Sequence, residues 1–366
     1  MSMNYPSIER RVTRQVQVGS VGIGSDYPVS VQSMPNTATH DARATLAQID
    51  QLAAAGADIV RVAAASEADT AALREIVANA PVPIVADVHF HFARALEAID
   101  AGVAKIRLNP GNIRDRAQVD QVIAAAMDAG CAIRVGVNEG SIIERADADR
   151  KADELSRPLV ELMVEKMSEY LQAFEDASFD QLVLSAKSAD PYMTVAVSRA
   201  LADRWDYPLH LGVTHAGTAR SGSIRSAAAL GALLAEGIGD TVRISLAGDP
   251  VAEVRAANEL LASLRLREAH GARVIACPTC GRTTLNVAEL AEELEAALVD
   301  VVSPVTVAVM GCVVNGPGEA EGAEVAICGG GAGRSALFVR GEHVRTVEDT
   351  DALEAVLDAV LAIDSE

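Results

Sequence analysis

Residues 101–108 read Ala101-Gly102-Val103-Ala104-Lys105-Ile106-Arg107-Leu108, a small-residue turn that runs into a short strand-like segment. A glycine at this place suits the left-handed turn that ends a helix. The phrase recurs along the chain. Ala55-Gly56-Ala57-Asp58 leads into Ile59-Val60-Arg61-Val62, Ala129-Gly130-Cys131-Ala132 into Ile133-Arg134-Val135, and Gly237-Ile238-Gly239-Asp240 into Thr241-Val242-Arg243-Ile244. Filling the gaps gives expected strands near 29–34, 59–63, 83–88, 104–108, 132–137, 181–186, 209–214 and 241–246. A stretch with helical spacing follows each, such as Leu46, Ile49 and Leu52, or Leu159, Leu162, Met163, Lys166, Met167 and Tyr170. The strands are near-continuous apolar runs, as expected when both faces are covered. Eight β–α units over roughly 235 residues predict an α/β fold, a closed (β/α)8 TIM-type barrel. An open doubly wound sheet is the rival, but no Gly-x-Gly-x-x-Gly phrase follows an early strand. Residues 11–28, with Gly19, Gly22 and Gly24, read as a short hairpin ahead of the barrel.

The barrel is expected over residues 1–264, a polar linker over 265–272, and a smaller α+β domain over 273–366. That second domain reads as strand 273–276, helix 286–299, strand 304–310, strands near 323–328 and 336–340, and helix 350–362. Half of the 366 residues are hydrophobic but only 3% are aromatic, so the core must be built from Ala, Val, Leu and Ile. A net charge of −20 argues against nucleic-acid binding, which needs basic surface. No apolar run approaches a membrane span, and Met1 to Arg14 lacks a signal segment, so no membrane partner and a cytoplasmic setting are expected. Five cysteines in a reducing compartment read as free thiols or metal ligands.

Active sites of this fold sit at the C-terminal ends of the strands. There the chain places Arg61, Arg107, Arg134, Lys187 and Arg243 on separate strands, with Asn138 and Ser245 as neutral donors beside them. Convergent guanidinium and ammonium groups suit a phosphate-bearing ligand. The alternative is that each arginine simply pairs with a carboxylate. Asp87-Val88-His89 ends the third strand, and the alternation puts Asp87 and His89 on one face. Asp87 and His89 are candidate catalytic residues, His89 as a substrate ligand or proton relay, against a purely structural Asp–His hydrogen bond. His215, after the seventh strand, is a candidate acid or base.

Two phrases in the second domain hold three of the five cysteines: Cys277-Pro278-Thr279-Cys280-Gly281-Arg282 and Gly311-Cys312-Val313-Val314-Asn315-Gly316-Pro317-Gly318-Glu319. A Cys-x-x-Cys with a distant third cysteine fits either zinc or an iron–sulfur cluster. Glu319 is the candidate fourth ligand, held by a Gly-Pro-Gly turn. Cys131 reads as core packing, and Cys328 as structural although near the site.

Together these residues resemble the 4-hydroxy-3-methylbut-2-enyl diphosphate synthase family of the methylerythritol phosphate route to isoprenoids. The likeness runs nearly end to end. It includes Val31-Gln32-Ser33-Met34, Asp87-Val88-His89-Phe90, Asn109-Pro110-Gly111-Asn112-Ile113, Gly136-Val137-Asn138, His210-Leu211-Gly212, Glu236-Gly237-Ile238-Gly239-Asp240-Thr241 and both cysteine phrases. The resemblance implies a 4Fe-4S cluster on Cys277, Cys280, Cys312 and Glu319. It implies a cyclic diphosphate substrate, 2-C-methyl-D-erythritol 2,4-cyclodiphosphate, reduced by electrons from flavodoxin or ferredoxin. Arg61, Arg107, Arg134, Asn138, Lys187, Arg243 and Ser245 fall on positions resembling the family's diphosphate cradle.

The chain also departs from the pattern. His215 stands where the family usually has glutamate, a suspected proton donor, and imidazolium can serve in that role. Pro35, His91 and Ser188-Ala189 are milder differences. The eighth helix returns to the bottom of the barrel, and residues 265–272 span at most about 26–29 Å. A head-to-tail homodimer is therefore expected, consistent with the family. Two other readings stay open at this point. One is a pterin-binding barrel synthase with a structural zinc; the other is a diphosphate-binding iron–sulfur homologue that has lost turnover through His215.

Overall fold

A computed structural model of the chain describes residues 7–88, 92–108, 115–139, 142, 157–299, 301, 303–314 and 316–364, apart from the side chain of Glu319. It divides into two compact units, Met1–Arg267 and Glu268–Glu366.

The first unit is the eight-stranded barrel. After a hairpin of β1 (Val16–Val18) and β2 (Val21–Ile23), its parallel strands are β3 (Ser30–Ser33), β4 (Ile59–Ala63), β5 (Ile84–Asp87), β6 (Lys105–Leu108), β7 (Ala132–Asn138), β8 (Leu182–Lys187), β9 (His210–Leu211) and β10 (Thr241–Val242). They are ordered β8-β7-β6-β5-β4-β3-β10-β9, and a parallel bridge between Leu184 and Leu209 joins the two ends of that row. The described helices that cover it are α1 (Ala42–Ala54), α2 (Glu67–Asn79), α3 (Phe92–Asp100), α4 (Arg116–Ala129), α5 (Leu159–Asp176), α6 (Pro191–Arg204), α7 (Ala219–Ala235) and α8 (Pro250–Ser263).

Strand parity sorts the barrel side chains into two populations. Val31, Val60, Val62, Ile106, Leu108, Ile133, Val135, Leu182 and Leu184 join the large core that includes the helices. The opposite parity holds Ile59, Val85, Ala132 and Val183, which pack with Val16, Val18 and Ile23 of the hairpin into a separate apolar cluster. The hairpin thus closes the N-terminal end of the barrel with apolar residues. Two residues further along the same strands the inward side chains become Arg61, Asp87, Arg134 and Ser185.

Helix starts are fixed by local chemistry. The Asp190 carboxylate accepts from Tyr192 N and Met193 N ahead of Pro191, and Asp249 accepts from Val251 N ahead of Pro250. An acidic N-cap followed by proline satisfies free amides and presets φ for the first turn. At the other end of α4, Gly130 takes the left-handed conformation (φ 64°) that stops the helix and turns it into β7.

The segment before the hairpin is tied down by charge. Asp240 is buried at the N-terminal end of β10 and accepts from Arg10 Nη2 at 2.7 Å and Leu209 N at 2.8 Å. Arg267, the last residue of the unit, makes a two-pronged ion pair with Asp58 at 2.5 and 2.9 Å, and Asp58 also accepts from Val31 N.

The second unit carries one five-stranded sheet, ordered β11 (Arg273–Ala276), β12 (Thr306–Met310), β13 (Val325–Gly331), β14 (Arg334–Val339) and β15 (Glu342–Glu348). The first two pairings are parallel and the last two antiparallel. Helices α9 (Val287–Ala297) and α11 (Ala352–Asp364) pack on one face through Leu290, Leu294, Val356 and Val360. Strand β15 was not expected from sequence: six of its seven residues are exposed, so no alternation marks it. The expected Gly-Pro-Gly turn is instead a one-turn helix, α10 (Gly316–Glu319). No described helix is long and apolar enough to cross a membrane.

Asp240→Ala strips the acceptor from a buried arginine contact and a buried amide. Removing one partner of such a pair costs about 3 kcal/mol, which should appear as a lowered urea midpoint with an unchanged m-value.

Candidate active site and cysteine centre

The cationic mouth expected from sequence is assembled. Arg107, Arg134 and Lys187 are all more than nine-tenths buried, and Arg61 and Arg243 are largely so. Asp87 lies between two of them, with Arg61 Nε at 3.7 Å from one carboxylate oxygen and Arg107 Nη1 at 3.4 Å from the other. Arg61 also rests on Met34, its Nε and Nη2 lying 3.3 and 3.2 Å from Sδ. Glu253, in the first turn of α8, reaches back to Arg243 Nη2 at 3.4 Å while accepting from Ser33 Oγ at 3.1 Å and Leu246 N at 2.9 Å.

These partners do not cancel the cations. Arg134 keeps two buried nitrogens, Nε and Nη1, without a hydrogen-bond partner among the described residues, and so does Arg243 Nε. Burial and then the neighbouring cations push Lys187 well below the usual lysine range and Arg134 well below the usual arginine range. Arg61 is lowered to about 10, by burial first, against the opposing pull of Asp87. A site that forces cations together in low dielectric, with donors left over, is organised to receive an anion. Room for Lys187 depends on Gly212, where a Cβ would stand 2.5 Å from Lys187 Nζ and 2.7 Å from the Arg243 carbonyl oxygen.

Asn138 ends β7 and is the register neighbour of Lys187; Ser245 is half-buried just past β10. Asp87, read from sequence as catalytic, serves here as the shared acceptor that aims Arg61 and Arg107. His89 lies outside the described residues, as do Asn109 and Asn112. His215 is exposed on the turn after β9 and holds a left-handed backbone with φ 52°. Histidine is one of the few residues besides glycine that take this conformation readily.

Two inward groups went unremarked as site residues. Lys105 is fully buried two residues before Arg107, and its Nζ lacks a partner among the described residues. Burial, reinforced by Arg134, lowers it to about 7. His210 is buried as completely, with both ring nitrogens unpartnered among the described residues, and burial followed by Arg134 and Lys187 keeps it well below the usual imidazole range. The signal for Lys105 was its parity, the same as that of Arg107.

In the second unit the topology brings cysteines to one end of the sheet. Cys277 follows β11, and Cys312 lies two residues past the neighbouring parallel strand β12. The Gly311 amide donates to Cys277 Sγ at 3.1 Å. Cys280 is exposed, and hydrogen bonds from Arg282 hold its thiol below the ordinary cysteine range. Three thiols and a backbone N–H aimed at sulfur suit a thiolate-held metal group. No three His, Cys, Asp or Glu side chains among the described residues form a closed metal cage. The side chain of Glu319 lies outside the described residues. Cys328 is buried, its thiol pushed up to about 11 by that burial, and a Cβ on Gly316 would stand 2.9 Å from its sulfur. It lies under α10 as a neutral packing group.

Comparison with known proteins agrees with both units. Residues 13–258 match the GcpE TIM-barrel domain, and residues 273–362 match the GcpE protein C-terminal domain. A protein of Geobacter sulfurreducens is 48% identical over 95% of this chain and 97% of its own length. One of Corynebacterium diphtheriae is 47% identical over 97% of this chain and 89% of its own. Both carry the name 4-hydroxy-3-methylbut-2-en-1-yl diphosphate synthase (flavodoxin). Nothing in these matches supports a pterin-binding synthase with structural zinc or a homologue without turnover.

Lys105 makes a signed prediction for stability. Its value falls from 10.5 to about 7 on folding, so between those limits the unfolded chain binds a proton that the folded barrel refuses. Stability from this group therefore rises with pH from about 7 to 10.5, by up to about 1.4 kcal/mol per pH unit. Denaturant unfolding of Lys105→Met across that range should lack this component.

Proposed function

The chain belongs to the GcpE family, and from that premise we propose that it carries out the reductive ring opening and dehydroxylation of 2-C-methyl-D-erythritol 2,4-cyclodiphosphate to 4-hydroxy-3-methylbut-2-enyl diphosphate. The observation that carries the reading is the buried, under-compensated cationic interior of the barrel. Charge and atoms balance when the cyclic dianion takes two electrons and one proton and yields the linear trianion and water.

In this reading Arg61, Arg107, Arg134, Lys187 and Arg243 hold the diphosphate, with Asn138 and Ser245 as neutral donors. Asp87 and Glu253 aim three of the guanidinium groups and keep them from turning to solvent. Preset donors of this kind stabilise charge without reorganising during the reaction. A 4Fe-4S cluster on Cys277, Cys280, Cys312 and Glu319 would supply the electrons and a Lewis-acidic iron. Flavodoxin is the proposed donor, in line with the names of the relatives. His215, exposed at the mouth with a ring that can act as acid or base, is the proposed donor to the departing hydroxyl. His89 is a further candidate ligand.

The proposed assembly is a head-to-tail homodimer in which each cysteine domain serves the partner's barrel. Its support is the reach of the chain. Arg267 is clamped to Asp58 at the N-terminal end of β4, opposite the mouth. The five residues after it span at most about 18 Å. A cytoplasmic setting goes with this reading.

Protein prepared without oxygen should be brown, contain iron and acid-labile sulfide, and form the linear diphosphate under reduced flavodoxin. Colourless, zinc-loaded protein without product would overturn the assignment. Arg134→Met should raise KM roughly 10–100-fold, the worth of one or two charged hydrogen bonds. His215→Gln should lower kcat about 100-fold or more with little change in KM, while His215→Glu retains turnover. Equal rates for the parent and His215→Gln would remove His215 from the chemistry.

A further inference from the structure

Lys105 has no task in the reaction as written above, yet it is fully enclosed in the barrel. The charged and titratable groups that act on it directly are Arg134 of β7, Cys131 just before that strand, Arg61 of β4 and His210 of β9. Asp87 of β5, Arg107 of its own strand, Lys187 of β8 and Arg243 just past β10 act on Arg134 in turn. Asp87 is engaged by Arg61 and Arg107, and Glu253 by Arg243. Burial pushes the Cys131 thiol up to about 12, so at neutral pH it is uncharged and supplies no counter-charge. Lys105 Nζ has no hydrogen-bond partner among the described residues.

Among the described residues, four arginines (Arg61, Arg107, Arg134 and Arg243) and two lysines (Lys105 and Lys187) of this interior thus face two carboxylates, Asp87 and Glu253. Arginine holds its proton under such pressure, whereas buried lysine gives it up. His210, whose titration Lys105 influences, keeps both ring nitrogens buried and unpartnered among the described residues, and Ser30 Oγ and both amide atoms of Gln32 on β3 and Thr241 Oγ1 on β10 are in the same state. That set mixes donors and acceptors, and a neutral amine can serve both.

We infer that Lys105 is a neutral amine in the ligand-free barrel and takes up a proton when a diphosphate enters the cradle, becoming a counter-charge within the barrel. The inference rests on the reading of the mouth as a diphosphate site and adds a residue to it. A bound anion reverses the repulsion that Arg134 exerts on Lys105. The demand for such a counter-charge grows during turnover, because ring opening converts a dianion into a trianion. Protonated Lys105 then favours the charge distribution of the later stages over that of the ring. Affinity for a diphosphate should fall as pH rises above about 7, since a proton must be bound along with the ligand, and should be flat in this respect below it.

The chain has four lysines, Lys105, Lys151, Lys166 and Lys187. Lysine Cε resonances of the full-length protein labelled with ¹³C-lysine are therefore few enough to assign, using Lys105→Met, Lys151→Arg and Lys166→Arg. The titration is read on the unmutated chain and does not depend on a variant's stability. In the free protein the Lys105 resonance should titrate near pH 7. Inorganic pyrophosphate at pH 8 should move it to the charged position. Lys105→Met should bind pyrophosphate about tenfold more weakly at pH 7 and lose the corresponding pH dependence. A Lys105 resonance that stays charged to pH 10 in the free protein overturns the inference. So does a neutral resonance that does not move while ³¹P line broadening shows pyrophosphate bound. Pyrophosphate that fails to bind at all overturns the cradle reading itself, and the proton uptake with it.

Discussion

Among the described residues, two carboxylates, Asp87 and Glu253, share the barrel interior with four arginines and two lysines, and the remaining features of the first unit follow from accommodating that imbalance. The hairpin cluster of Val16, Val18 and Ile23 closes the N-terminal end with apolar residues and contributes no charge to offset these cations. Asp87 and Glu253 neutralise just enough to fix three guanidinium groups in place. Gly212 clears the volume that Lys187 occupies. An uncompensated buried charge costs several kcal/mol in a protein, in effective terms. A fold that keeps such charges gives up stability for the ability to bind something of opposite sign.

How much of this was readable in the sequence depended on whether a residue's signal was local. The eight strands were legible because parallel strands covered on both faces are continuous apolar runs, and the small-residue turns before them recur. The cationic mouth was legible because each arginine or lysine interrupts such a run. Strands β9 and β10 proved shorter than their apolar runs, two residues each. Just past Leu211, a Cβ on Gly212 would collide with Lys187 Nζ and the Arg243 carbonyl oxygen, a tertiary constraint that no local pattern records. Lys105 shares the parity of Arg107 but sits at the start of its strand, where no local pattern separates a site lysine from a solvated one. Glu253 looked like an ordinary residue of a helix start; its role comes from the distance to Arg243 and Ser33, which only the closed barrel creates. Strand β15 has no buried face and hence no alternation to read.

The second unit shows the same division. The three candidate thiols were evident from spacing, and parallel pairing of β11 with β12 explains why Cys277 and Cys312 lie at the same end of the sheet. What spacing did not reveal was how tightly the backbone is drawn around them. A Cβ on Gly311 would stand 2.9 Å from the Thr283 side chain and 3.3 Å from Cys277 Sγ, so the loop approaches the sulfur only because that position has no side chain. Thr279, inside the Cys-Pro-Thr-Cys phrase, holds a left-handed backbone (φ 60°) that a β-branched residue rarely adopts. Strain held at one point of a loop that presents two thiols marks geometry kept for binding rather than for stability.

The central claim is that the barrel keeps its excess of buried cations for a diphosphate. Thermal unfolding of the parent and of Arg134→Met, in rising pyrophosphate at constant ionic strength, tests it most directly. Ligand that binds only the folded state raises stability as RT ln(1 + [L]/Kd). The account predicts a Tm that climbs with the logarithm of pyrophosphate in the parent and barely moves in the variant. A parent Tm that responds to pyrophosphate no more than to sodium chloride would contradict it.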